Sequence, residues 1–227
     1  MEQVVGILGG MGPYATIMFY RQLLAATPAA RDWEHLHVLI DSNVKIPSRT
    51  RACLFGEPSP APGMIASIRA LAVAGAGFAV VPCNSAHFWY DEVSRATPIP
   101  WLNILQVNAD ALARVGRSAP LVLGGPVVLR NRLYSERLPG AVYPREDEEP
   151  AIGTAIETVK LHGQADSPAV AGLRELVAAH RDDIDCVLLA CTELAGLETE
   201  LAHPDLPVFD AGAEYARATV IRARSRS

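Results

Sequence analysis

The sequence VGILGGMGPYATIMFY at residues 5–20 is matched later in the chain by LVLGGPVVLRNRLY at residues 121–134. Each stretch begins as a short apolar strand, passes through Leu-Gly-Gly and continues into a helical pattern that reaches a tyrosine. Strands that are apolar throughout are buried on both faces, which is typical of parallel sheets covered by helices. The repeat therefore predicts two similar α/β halves.

The same alternation of short strands and longer helices continues along the whole chain. The apolar runs predict strands at residues 4–8, 37–41, 78–82, 120–124, 186–190 and 207–210. Apolar residues at three- and four-residue spacing predict helices at residues 15–27, 63–75, 104–115, 170–180 and 214–224. This order predicts an α/β fold with two pseudo-symmetric lobes, each a parallel sheet flanked by helices, and an active site in the cleft between them.

The repeat also sets the expected domain boundaries. We place an N-terminal lobe at residues 1–103 and a C-terminal lobe at residues 104–208. The last helix, within residues 209–227, is expected to pack back on the first lobe.

Composition excludes several classes of protein. With 227 residues, half of them hydrophobic, the chain is long and apolar enough to bury a core. The N-terminus carries Glu2 where a signal peptide needs basic residues, and no apolar run approaches the roughly 20 residues that span a bilayer. A cytoplasmic protein without a membrane partner is expected. A net charge of −5, with scattered arginines, argues against nucleic acid as a partner.

Two apolar strands end on a cysteine, in VVPCNSAHF at residues 80–88 and in LLACTEL at residues 188–194. In open parallel sheets, functional groups gather beyond the carboxyl ends of the strands. If the two lobes face each other, Cys83 and Cys191 flank one cleft from opposite sides. Paired thiols suit the inversion of a stereocentre, because one thiolate removes a proton from one face and the opposite thiol returns one. Helical segments after each cysteine are expected to lower both thiol pKa values.

The remaining cysteines and the lysines indicate whether a metal or a cofactor is expected. Cys53 and Cys186 are interpreted as small core residues. No second closely spaced pair completes a zinc set, so no metal is expected. Lys45 and Lys160 are the only lysines, and neither has the setting of a pyridoxal phosphate lysine. We therefore expect no cofactor.

Four segments together resemble the aspartate/glutamate racemase family over the full length of the chain. They are GILGGMGPYAT, IPSRT, VVPCNSAH and LLACTEL. The resemblance implies a cofactor-independent amino-acid racemase, usually a homodimer, with Cys83 and Cys191 as its catalytic residues. The enzyme is then an isomerase that acts on an acidic amino acid such as aspartate or glutamate.

The residues beside the motifs supply the expected substrate contacts. Asn84, Ser85 and Thr192 offer backbone N–H groups and short polar side chains to the α-carboxylate. The resemblance places Arg49 and Lys160 on the side-chain carboxylate. Met11, in the first motif, completes the expected substrate-binding set.

Some residues depart from the family pattern, and other functions stay open. LGGPVV lacks the threonines usual at the second opening, and Ser48 stands where aspartate is common. These departures concern the substrate contacts and leave both cysteines in place, so a specialised amino acid or a related acid stays open as the substrate. The alternatives are a dicarboxylate isomerase or decarboxylase of the same superfamily, or a non-catalytic protein that binds an acidic metabolite.

Overall fold

The computed structural model describes residues 2–162 and 166–225, in which two three-stranded parallel sheets are flanked by helices. The strands are β1 (Val5–Gly9), β2 (Val38–Ser42), β3 (Phe78–Val80), β4 (Pro120–Gly124), β5 (Cys186–Ala190) and β6 (Val208–Asp210). The first sheet has the order β2-β1-β3, and the second has the order β4-β5-β6. The predicted fold class is confirmed.

Helices connect the strands and cover both sheets. They are α1 (Pro13–Ala26), α2 (Arg49–Phe55), α3 (Ala61–Val73), α4 (Tyr90–Arg95), α5 (Ile104–Arg114), α6 (Pro126–Arg130), α7 (Glu149–His162), α8 (Ser167–Ala179), α9 (Glu198–Leu201) and α10 (Ala211–Arg224). Short 3-10 helices lie at Asp32–Glu34, Asn84–Trp89, Arg181–Asp183 and Thr192–Leu194. None of these helices is long and apolar enough to traverse a bilayer, a finding that covers the described residues only.

The two sheets have equivalent topologies once two isolated parallel bridges are included. In the first lobe, Trp101 bridges to Ala79 on β3, and this extends the sheet beyond β3. In the second lobe, Val142 bridges to Leu121 on β4, on the side away from β5. Each Leu-Gly-Gly strand, β1 or β4, thus lies between a neighbouring extended segment and the strand that leads to a cysteine. The repeat seen in the sequence is therefore a repeat of sheet topology.

One apolar core joins the lobes. Buried residues of β1 and β3 belong to the same cluster as those of β4 and β5. Helix α10 follows β6 of the second sheet and packs against α1 and α5. The two sheets are therefore packed together through a shared core.

The predicted strands agree with the observed ones to within two residues at each end. The predicted helices correspond to α1, α3, α5, α8 and α10. Helix α7 was not predicted, because Pro150, Gly153 and the β-branched Thr154 and Thr158 weaken its helical pattern. Residues 226–227, at the end of the segment 209–227 that was expected to pack back on the first lobe, lie outside the described residues.

Candidate active site

A cavity of about 540 Å³ lies between the lobes, beyond the carboxyl ends of β3 and β5. All eight residues predicted for the site line this cavity: Met11, Arg49, Cys83, Asn84, Ser85, Lys160, Cys191 and Thr192. A larger surface groove, of about 730 Å³, is lined by residues between Gln106 and Gly140, but it contains neither thiol. The chemistry-bearing side chains therefore gather in the cavity between the lobes.

Cys83 is held by the backbone and by a buried histidine. It caps the 3-10 helix Asn84–Trp89 and is half-buried. The Nδ1 atom of His87 lies 2.9 Å from the Cys83 carbonyl oxygen, and its Nε2 accepts a hydrogen bond from the backbone N–H of Ile104 at 3.1 Å. These partners require a neutral ring that carries its proton on Nδ1, and burial lowers the pKa of His87 to about 4. His87 therefore positions the Cys83 loop and does not line the cavity.

Cys191 has a buried carboxylate beside it. The Cys191 thiol donates a hydrogen bond to Oε2 of Glu193 at 3.0 Å, and Glu193 is buried. Burial raises the pKa of Cys191 well above its ordinary value, and the charges of Glu193 and Cys83 raise it further. The expectation that the following helical turn lowers both thiol pKa values is wrong for Cys191, because these effects exceed that of the turn. Cys191 is therefore a thiol at neutral pH.

Hydrogen bonds between the lobes tie the two cysteine loops together. The Thr192 hydroxyl donates to the Pro82 carbonyl oxygen at 2.8 Å. The Tyr134 hydroxyl, from the turn after α6, donates to Oδ1 of Asn84 at 2.5 Å. Because its hydroxyl proton is already used, Thr192 offers a ligand its backbone N–H and an acceptor oxygen.

Two cations border the cavity in different settings. Arg49 donates from its terminal nitrogens to the carbonyl oxygens of Pro47 at 3.0 Å and of Met11 at 2.9 Å, while its Nε is buried without a partner. No carboxylate among the described residues pairs with Arg49. Lys160 is exposed and ion-paired with Glu157 at 2.7 Å. Burial opposes the charge of Lys160, but the bond to Glu157 and the charge of Glu193 raise its pKa. Lys160 is thus cationic at neutral pH.

Glycines keep the cavity walls free of side chains. A methyl group built on Gly125 would lie 3.7 Å from the Ser85 hydroxyl, and one on Gly12 would lie 3.9 Å from Oε1 of Glu193. A methyl group on Gly153 of α7 would meet nothing within 4 Å. Gly125, in LGGPVV, therefore leaves the wall beside Ser85 free of a side chain. Within residues 2–162 and 166–225 no group of three His, Cys, Asp or Glu side chains is placed to hold a metal ion.

Sequence reasoning missed two residues at the site. Glu193 lies inside the LLACTEL motif, where its place two residues after Cys191 was an available signal. Tyr134 ends the repeated opening LVLGGPVVLRNRLY, but nothing in the sequence indicates that it reaches Asn84, 50 positions earlier in the chain. Both side chains are buried, and both contact a residue that lines the cavity.

Comparison with known proteins identifies similar chains. The sequence pattern of the family described as Asp/Glu/Hydantoin racemase matches residues 8–219. The broad specificity amino-acid racemase RacX of Bacillus subtilis (strain 168) is 26% identical over 226 residues, which cover 96% of each chain. The aspartate racemase of Picrophilus torridus is 27% identical with a TM-score of 0.85, over 99% of this chain and 95% of that one.

A more distant solved structure shares the fold alone. Glutamate racemase isoform RacE1 of Bacillus anthracis is 14% identical with a TM-score of 0.66, over 98% of this chain and 83% of that one. The two-lobed architecture is thus retained at low sequence identity.

Proposed function

This chain belongs to the Asp/Glu/Hydantoin racemase family and is an isomerase, and from that premise we propose that it racemises an amino acid by a two-thiol mechanism. Cys83 and Cys191 are the proposed acid and base, and no cofactor takes part. The observation that carries this proposal is the meeting of both thiols in one cavity, each from the matching strand end of its own lobe.

The proposed reaction removes one proton from Cα and adds another proton to its opposite face. In one direction the Cys83 thiolate removes the Cα proton, and the Cys191 thiol donates its proton to the opposite face of the resulting carbanion. In the other direction the roles are exchanged. The carboxylate of Glu193 supports the first direction because it holds the Cys191 proton in place before substrate binds.

Binding of the α-carboxylate is assigned to the turns that follow each cysteine. The side chains of Asn84 and Ser85, with the first backbone N–H groups of both 3-10 helices, supply hydrogen-bond donors at the cavity wall. Such donors also stabilise the negative charge that develops when the Cα proton leaves.

An acidic side chain is the proposed substrate feature. Arg49 is a cation in the cavity wall without a carboxylate partner among the described residues, so a ligand carboxylate can pair with it. Lys160 at the rim adds positive charge, although its bond to Glu157 must be shared. Aspartate and glutamate therefore fit the site.

A homodimer and the boundary between the lobes at residues 103 and 104 stay predictions.

Exchange in deuterated water tests the mechanism. The purified protein is incubated with L- and D-forms of aspartate, glutamate and alanine, and the Cα deuterium content and enantiomer ratio are measured. We expect Cys83→Ala and Cys191→Ala each to abolish racemisation, while one thiol still exchanges the Cα proton of a single enantiomer. Cys53→Ala is the matched control, because this half-buried thiol lies outside the cavity lining. Full racemisation by either of the first two variants contradicts the proposal.

A further inference from the structure

Asn84 and Tyr134 form a buried contact between the two lobes. Asn84 follows Cys83 at the end of the first-lobe strand, and Tyr134 lies in the turn after α6 of the second lobe. Tyr134 is fully buried, and its hydroxyl donates to Oδ1 of Asn84. The pair therefore connects the substrate-facing loop of one lobe to the core of the other.

This contact decides which end of the Asn84 amide faces the cavity. An asparagine amide presents an acceptor oxygen at one end and two N–H donors at the other. With the oxygen bound to Tyr134, the Nδ2 group is directed away from the tyrosine. Among the described residues the Nδ2 group has no hydrogen-bond partner, and the protein does not enclose it completely. Because Asn84 lines the cavity, its amide donors are open to that space.

Tyr134 is well placed to hold this orientation. Its backbone N–H donates to the Tyr143 hydroxyl at 2.9 Å, whereas its phenol ring is fixed by complete burial and by the bond to Asn84. Burial raises the pKa of Tyr134 above its ordinary value, so that the phenol keeps its proton throughout the neutral pH range. A protonated phenol donates to the amide oxygen and thereby favours one of the two amide orientations.

We infer that Tyr134 is a positioning residue that orients the Asn84 amide so that its N–H groups bind the substrate α-carboxylate. This inference rests on the proposed function, because it assigns the carboxylate of an amino-acid substrate to Asn84. Tyr134 itself does not line the cavity, so it acts through Asn84. Its hydroxyl thus makes the donor set of the first lobe depend on the packing of the second.

The test combines two tyrosine variants with an asparagine variant. Tyr134→Phe removes the hydroxyl that reaches Asn84, and Tyr143→Phe removes a hydroxyl from the same buried region that does not reach it. L-aspartate binding is measured by calorimetry, and KM and kcat are measured where racemisation is seen. We expect Tyr134→Phe to weaken binding and raise KM by about ten- to a hundredfold, with a smaller change in kcat. We expect Tyr143→Phe to bind aspartate like the wild type.

Coupling between the two residues gives the decisive comparison. In an Asn84→Ala background, Tyr134→Phe should cause no further loss, since the group it orients is absent. Full additivity of the two losses, or equal losses in Tyr134→Phe and Tyr143→Phe, overturns the inference. If Tyr134→Phe does not fold, Asn84→Asp replaces it, because this variant keeps an acceptor for Tyr134 but presents a carboxylate to the cavity. Undiminished aspartate binding by Asn84→Asp overturns the inference.

A substrate-free readout separates this inference from the proposed function. The side-chain amide resonances of Asn84 are assigned by their loss in Asn84→Ala, and they should shift in Tyr134→Phe but not in Tyr143→Phe. Unchanged resonances in Tyr134→Phe overturn the inference even if the protein is an active racemase. Shifted resonances in a protein that exchanges no Cα proton support the orientation of the amide and contradict only the proposed function.

Discussion

Glu193→Gln probes the protonation of Cys191 with little change of shape. The carboxylate oxygen of Glu193 lies 3.0 Å from the Cys191 sulfur, and glutamine keeps an acceptor at that position while removing the charge. Because the negative charge of Glu193 raises the pKa of Cys191, the variant should lower that pKa towards its ordinary value. Cys191, which donates the second proton, then loses its own proton at a lower pH than in the wild type.

The size of the effect follows from the one bond that changes. A hydrogen bond to a charged group contributes about 1.5–3 kcal/mol, and one between neutral groups about 0.5–1.5 kcal/mol. The difference of roughly 1–1.5 kcal/mol corresponds to a thiolate fraction of Cys191 that is about five- to tenfold larger near neutral pH. Since two enantiomers have equal free energies, any change in kcat/KM must be the same in both directions of the reaction.

Two assays check this reasoning. The high-pH limb of kcat/KM, which reports ionisation of the free enzyme, should move to lower pH in Glu193→Gln. The rate at which iodoacetamide alkylates the peptide containing Cys191 should rise near neutral pH, because a larger fraction is thiolate. Glu157→Gln is the matched control, as it removes a cavity carboxylate that pairs with Lys160 instead. An unchanged high-pH limb together with unchanged alkylation would refute the argument.

Three further predictions concern specificity and stability. Arg49→Lys should lower kcat/KM for aspartate by about ten- to a hundredfold and leave alanine nearly unaffected; equal losses would assign Arg49 a structural role. Burial raises the pKa of Asp210 to about 6, so in the wild type this group costs stability progressively as the pH rises from 3.8 to about 6. Asp210→Asn should remove that dependence and stabilise the protein at pH 7 by up to about 3 kcal/mol, measured by urea unfolding against the wild type at each pH. A gain that is the same at pH 4 and pH 7 would contradict this assignment. Gly153→Ala should stabilise by about 0.5–1 kcal/mol in the same assay, whereas Gly124→Ala should destabilise, because its methyl group would lie 2.9 Å from Val128.

The sequence by itself determined the fold class, the family and the two strand ends that carry the cysteines. Strands and helices have local periodicities, so their order can be read without knowing their contacts. The parallel arrangement then requires that the loops after Cys83 and Cys191 lie at the carboxyl ends of their sheets. For this reason the repeated Leu-Gly-Gly opening and the two cysteine motifs were sufficient to locate the cavity.

Only the tertiary structure decided the electrostatics of the site and the contacts that cross the cleft. Thr192 meets Pro82 from 110 positions away, and Tyr134 meets Asn84 from 50 positions away. Such pairings depend on how the lobes pack, and no local pattern encodes them. The high pKa of Cys191 likewise depends on burial beside Glu193, because a neighbouring charge and the loss of water act through space and not along the chain.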